Sequence, residues 1–309
     1  MTKWIIKLEG GLGNQLFQYA HAKALQIKFG GEIFIDTHAF TKKQIRHLSV
    51  NHVCNESIKL IKEIGLWDLC NLRILQLIHK FYKRKMLLYP KQFDQGRYES
   101  LCKHGLYIQY KDTAYDSFVR PKRSINYVSG NYLSATFFKG IENIIRQDFD
   151  VKEKLSIKSQ ELLEKIESCN SVCLHVRLGD YLAPEWKDKL YICTPEYYRE
   201  AVELMKLKIK DPVFFIFSNR HKDFEWIKKN ISLDANIVYV NLSNSDYEDL
   251  KLMYSCKHFI MSNSTYSWWA QWLGEDKHKV VIAPSRFNNY PRWDMSGIYM
   301  DSWLKIELS

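Results

Sequence analysis

Apolar and polar positions alternate with several distinct periods along this chain. Residues 4–8 (WIIKL) are an apolar run that predicts a strand, and 14–29 (NQLFQYAHAKALQIKF) set Leu16, Ala20, Ala24 and Ile27 on one helical face. Gly30 and Gly31 supply a helix stop, and 32–36 (EIFID) predicts the next strand. The chain thus opens as a βαβ unit. From about 40 to 130 the pattern is irregular, apart from an amphipathic basic helix predicted over 72–88. In that helix Ile74, Leu77, Ile78, Phe81 and Tyr82 share a face, opposite Arg73, Gln76, Lys80, Lys83 and Arg84. Either it is a solvated helix packed on its domain, or it offers a surface to anionic lipid or a lipid-linked substrate.

The second half is far more regular. Strands are predicted at 171–176, 213–218, 236–240, 258–261 and 279–283, and helices at 195–209, 222–230, 246–255 and 265–273. Thr194 stands as the expected cap of the first of these helices, with Pro195 in its first turn. Strict alternation with short links predicts a parallel, doubly wound sheet. The chain therefore reads as two α/β domains, 1–155 and 156–309, meeting near a charged helix at 152–167.

Composition adds limits. At 309 residues the chain is long enough for two domains, and 46% hydrophobic with 26% charged residues is a globular balance. Aromatics at 14% serve either core packing or sugar stacking. The net charge of +10 admits nucleic acid, an anionic membrane surface or an anionic small substrate. No basic block interleaved with aromatics is present, which argues against nucleic acid. The seven cysteines are odd in number and scattered without a CxxC pair, so free thiols in a reducing compartment are expected. The opening MTKWIIKLEGG is too polar for a signal peptide, and no run approaches the ~20 apolar residues of a membrane span. A cytoplasmic protein is expected, with peripheral contact at the inner face of the membrane left open.

Chemistry gathers at strand ends. HVRLGDY (175–181) delivers His175 and Arg177 on one side of a strand end, then Gly179 and Asp180. Arg177 suits a diphosphate, or it pairs with Asp180 to pin a loop. MSNSTYSWWAQWL (261–273) crowds Ser262, Asn263, Ser264 and Thr265 at a helix start. That is an anion site built without lysine, although capping explains one such residue. Trp268, Trp269 and Trp272 read as packing. Asp246, Glu248 and Asp249 open another helix, either to complement its dipole or, for Asp249, to bind a nucleoside. GLGNQL (11–16) approximates a dinucleotide fingerprint with Asp36 at the second strand's end, but Leu16 occupies the third glycine position. DFD (148–150) spells a metal motif at the wrong place, and no His, Cys and Asp cluster has ligand spacing.

Taken together, GGLGNQLFQYAHAKAL, HVRLGDY with YICTPEYYREAV, and DLKLMYSCKHFIMSNSTYSWWAQWL resemble glycosyltransferase family 11, the GDP-L-fucose-dependent α-1,2-fucosyltransferases. IRQDFDVKEKL and FFIFSNRHKDFEWIKKN add linking matches, while 40–130 is not covered. The resemblance implies an α/β GT-B fold, two Rossmann-like domains facing a central cleft, with the acceptor on the N-terminal side and the GDP-sugar on the C-terminal side. It implies inverting, metal-free transfer without a cofactor, from GDP-L-fucose to a galactoside glycan, lipid-linked or free. It places Arg177 and His175 on the donor diphosphate, and these two with Asp180, beside the same strand end, are the expected catalytic residues. It places Asn14, Asp249, Ser264, Thr265 and Ser267 at the donor, and their neighbours Gly13, Gln15 and Asn263 complete the expected donor-binding set. Asp180 is the candidate general base, with loop pinning as its alternative. Two departures stand out: Leu178 replaces a second motif arginine, and Asn219 replaces an acid often found there. Another nucleotide-sugar transferase, a nicotinamide dehydrogenase and a glycan-binding protein are the competing classes.

Overall fold

The apolar runs become strands of two parallel sheets in a computed structural model, which describes residues 1–40, 47–55, 58–111, 115–290 and 295–308. The chain divides into two units, Met1–Phe149 with Ser296–Ile298 and Asp150–Met295 with Tyr299–Ser309.

In the first unit β1 (Lys3–Lys7) leads through a glycine loop into α1 (Leu12–Phe29), then β2 (Glu32–Asp36) and the two-residue β3 (Lys59–Leu60). There follow α2 (Leu66–Leu88), α3 (Gln95–Lys103), β4 (Leu106–Ile108), β5 (Ile125–Ser129) and α4 (Glu142–Asp148). The sheet order is β3-β2-β1-β5-β4 and every pairing is parallel. Residues 40–130, irregular by pattern, thus contain three strands and α3. The helix expected from 14 begins at Leu12, which puts Gly13 and Asn14 inside its first turn. Its last turn closes on Gly30 at φ +73, a conformation glycine adopts without strain.

The apolar face expected of α2 is not the one it buries. Leu72, Leu75 and His79 face the core with Leu69, Tyr82 and Met86 beside them, whereas Ile74, Leu77, Ile78 and Phe81 are exposed. The helix carries two apolar stripes, and the sheet accepts the one that reaches Ile5, Ile108 and Tyr127. Tyr82 therefore moves from the exposed face to the core side.

The second unit runs α5 (Ile157–Glu167), β6 (Asn170–Val176), α6 (Lys187–Leu190), α7 (Pro195–Lys208), β7 (Pro212–Ser218), α8 (Asp223–Asn230) and β8 (Asn236–Tyr239). It continues with α9 (Asp246–Tyr254), β9 (His258–Ile260), α10 (Thr265–Leu273), β10 (Val281–Pro284) and β11 (Leu304–Ile306). The order β11-β10-β9-β6-β7-β8 is wholly parallel, with β11 added to the expected strands. Thr194 occupies the N-cap position of α7, but its side chain makes no capping bond to the helix. Trp268, Trp269 and Trp272 are buried in mutual contact, as packing residues. Among the described residues none of the seven cysteines forms a disulfide, and five of them are buried.

Candidate functional site

In open parallel sheets ligands collect beyond the carboxyl ends of the strands, where the strand order reverses. In the second unit that point lies between β6 and β9, since the chain builds outward from β6 through β7 and β8 before returning to β9. His175 is the penultimate residue of β6, and the turn after β9 carries Ser262 to Ser264 into α10. These are the two segments singled out in the sequence, and adjacent parallel strands bring them together.

His175 is 2% exposed. Its Nδ1 lies 2.5 Å from Ser267 Oγ and 3.0 Å from Ser262 Oγ, and the two hydroxyls are 3.1 Å apart. Burial, helped by the Arg177 charge, pulls the imidazole down to about 3 against a bond to Asn219. His175 is therefore neutral at physiological pH. Tyr266 stands edge-on to its ring at 5.7 Å and donates through its hydroxyl to the Asp246 carbonyl, linking β6 to the start of α9.

Arg177 follows with its side chain 9% exposed. One terminal nitrogen donates to Asp180 Oδ1 at 2.6 Å, and the guanidinium lies 5.1 Å from the centre of the Tyr181 ring. Its Nε is buried without a hydrogen-bond partner among the described residues. An unmet charged donor of this kind is costly unless a ligand satisfies it. Asp180 is half-exposed and bound to Arg177, so its position matches the loop-pinning alternative as well as a catalytic one. Leu178 is 1% exposed within the apolar core, which is why no second cation projects from that position.

A nearby cation went unrecognised in the sequence. Arg220 lies beyond the end of β7, and its guanidinium sits close to the Gly179 turn, where φ is +52. Asp223 holds it through bonds of 2.9 and 2.6 Å, and Ser218 ties Asp223 Oδ2 and the Val176 carbonyl together. An arginine three residues before an acid at a helix start was the available signal.

Ser264 caps α10 by accepting from the Tyr266 amide at 3.3 Å, and Thr265 is the first helical residue. Asn263 departs from the donor-binding expectation. Its amide donates to the Leu190 and Phe287 carbonyls at 2.8 and 3.0 Å, so both hydrogens are engaged in tying loops. Asp249 is partly buried and accepts from Asn244 at 3.0 Å. Burial, aided by Glu248 and Asp246, raises its carboxyl to about 7 despite that bond.

The remaining expected residues belong to the first unit. Gly10 takes φ +86, and a Cβ there would meet Asn14 Nδ2 at 2.7 Å, so the glycine lets Asn14 fold over the loop. Gln15 is fully buried. It donates to the Gly10 and His47 carbonyls and accepts from the Ser49 and Val50 amides, all within 3.1 Å. It staples the glycine loop and has no group left for a donor sugar. Gln18 does similar work, accepting from the Glu9 amide and donating to its carbonyl. Asp36, which a dinucleotide reading needs at the ribose, is 2% exposed and bonded to His38, Gln76 and Tyr127. Among the described residues no group of three His, Cys, Asp or Glu side chains could hold a metal ion.

Two parallel Rossmann-like sheets in one chain define the α/β fold of the GT-B glycosyltransferases. The NodZ α-1,6-fucosyltransferase soaked with GDP-fucose shares this fold, with a TM-score of 0.51 at 12% identity over 88% of this chain and 93% of that one. The profile described as Glycosyl transferase family 11 matches residues 3–307, and the chain belongs to that family and is a glycosyltransferase. It is 26% identical to an α-1,2-colitosyltransferase of Escherichia coli, over 99% of this chain and 100% of the relative. It is 28% identical to the O-antigen biosynthesis glycosyltransferase WbnK of Escherichia coli, over 97% and 99%. A galactoside α-(1,2)-fucosyltransferase 1 of Saimiri boliviensis boliviensis is 30% identical over 159 residues, 47% of this chain and 42% of the relative.

Proposed function

We propose that this chain transfers L-fucose from GDP-β-L-fucose to the 2-hydroxyl of a galactose-type acceptor, with inversion, during glycan or surface-polysaccharide synthesis in the cytoplasm. Family membership and the relatives' activities support sugar transfer. The observation that carries the reading is the buried, unpartnered Nε of Arg177 beside the hydroxyl-lined start of α10. Arg177 binds the leaving diphosphate and stabilises the charge that grows as the glycosidic bond breaks. The first turn of α10, with Ser264 and Thr265, adds amide donors and the positive end of the helix. His175 stays neutral and holds Ser262 and Ser267 in place. Asp180 aims Arg177 and is the candidate general base for the acceptor hydroxyl. Asp249 takes the guanine edge or the ribose hydroxyls. Gly13 and Asn14, in the first turn of α1, are further donor-contact candidates. The acceptor hydroxyl attacks the anomeric carbon in line, passing its proton to Asp180 as GDP departs, and the reaction needs no metal.

A second reading, with colitose as the transferred sugar, is favoured by the full-length match to the colitosyltransferase. The test is transfer to a panel of galactosides after EDTA treatment, with GDP-fucose and nucleotide-activated colitose as separate donors. An α-1,2-fucosylated product, identified by NMR, is expected. Transfer of colitose alone would replace the first reading by the second. Activity that vanishes with EDTA and returns with Mg²⁺ or Mn²⁺ would overturn the metal-free step.

A further inference from the structure

The first unit has its own pocket, of about 600 Å³, at the carboxyl edge of its sheet. Lys7 from the end of β1, Asp36 from the end of β2 and Tyr127 from β5 form its floor, and α2 forms its wall. The volume is that of an ordinary small-molecule site. Its chemistry is two-sided. Lys7, Arg73, Lys80, Lys83 and Arg84 line it, and so do Leu77 and Leu87, which are 67% and 76% exposed.

The carboxylates nearby cancel only part of this charge. Asp36 is occupied by His38, Gln76 and Tyr127. Glu9 is held by Lys7 and by Lys83 at 3.6 Å. Lys80 and Arg84 have no acidic partner among the described residues. His79, on the lining, is 5% exposed, and its Nε2 is buried without a hydrogen-bond partner. Burial and the charges of Lys7 and Lys83 bring its imidazole down to about 4, so it is a neutral hydrogen-bonding group. The exposed Ile74, Ile78, Phe81 and Leu88 lie on the same helix.

A free anion would use the cations and leave the leucines wet. A neutral apolar ligand would cover the leucines and strand the cations. A lipid phosphate satisfies both. We propose that this pocket binds the phosphate or diphosphate head of a lipid that carries the acceptor glycan, with its chain along the exposed side of α2. That the lipid carries the acceptor glycan rests on the proposed transferase function; the binding of a lipid phosphate does not.

The experiment is calorimetric titration of the full chain with farnesyl diphosphate, in saturating GDP so that a nucleotide site is filled. Saturable binding is expected. The double variant Lys80→Glu/Arg84→Glu should weaken it by about tenfold or more, the loss of charge-assisted bonds. Leu77→Ser/Leu87→Ser should weaken farnesyl diphosphate but not inorganic diphosphate. All four positions are on the outer side of α2, and an unchanged GDP-induced rise in Tm reports that the variants fold. No binding, binding abolished by GDP, or affinity unaltered in Lys80→Glu/Arg84→Glu would overturn the site. Inorganic diphosphate binding as tightly as farnesyl diphosphate would overturn the lipid assignment. These readouts need no sugar transfer, so a failed fucosyl assay leaves them standing. For the acceptor clause, the parent should prefer a galactoside joined to farnesyl diphosphate over the free galactoside in kcat/KM, and equal use would overturn that clause.

Discussion

Both sheets are wholly parallel, one of five strands and one of six, and they differ at the edge that matters. Beyond β6 and β9 of the second unit, polar side chains from two segments close on a neutral histidine, and an arginine is left with an unmet donor. Beyond β1 of the first unit, Gln15 and Gln18 are consumed in holding the glycine loop, and the cations stand on α2. A parallel sheet provides the position for a site. Whether a polar residue there is chemistry or scaffold depends on whether its hydrogen bonds are already made.

The largest test of this contrast is Arg177→Ala, which should lower kcat for fucosyl transfer by about 10²–10³-fold, as loss of one preorganised charge-stabilising donor does. A loss below tenfold with an unchanged Tm would move Arg177 to the scaffold side. Gln15→Ala is the counterpart. It strands the Ser49 and Val50 amides and the Gly10 and His47 carbonyls. Urea unfolding should report a loss of about 2–4 kcal/mol, in line with buried polar groups left unpaired. Lost activity at full stability would instead make Gln15 a ligand contact.

Asp249 supplies a smaller, pH-dependent effect. Its carboxyl is raised from 3.8 to about 7. Between those values the folded chain holds a proton that the unfolded chain has released, so its stability contribution declines as pH rises through that window. GDP affinity should run the other way, rising between pH 6 and 8 as the carboxylate forms to accept from the guanine edge. Asp249→Asn should flatten this rise, and a parallel rise in the variant would remove Asp249 from nucleoside binding. His175 runs oppositely in stability, since its lowered value makes protonation below pH 6.5 disfavour the fold.

The second unit was legible because its central strands are buried on both faces and read as unbroken apolar runs between short links. The first unit hid β3 and β4 in two and three residues, and β5 (INYVS) buries Asn126 and Ser129 among apolar neighbours. His175, Arg177 and Ser264 could be picked out by position at strand and helix ends. What Gln15 and Asn263 do could not, because the partners of their side chains, all but Gly10, stand 24 to 73 residues away. Arg220 stands in no motif, and only the fold brings its guanidinium to the Gly179 turn.

The contrast comes down to which edge receives the nucleotide. Hydrogen–deuterium exchange of the full chain with and without GDP reads both edges at once. The account predicts slowed exchange at 175–181 and 262–267, with 246–254 following. Unchanged exchange in those segments, with slowing confined to 9–15 and Asp36 of the first unit, would contradict it.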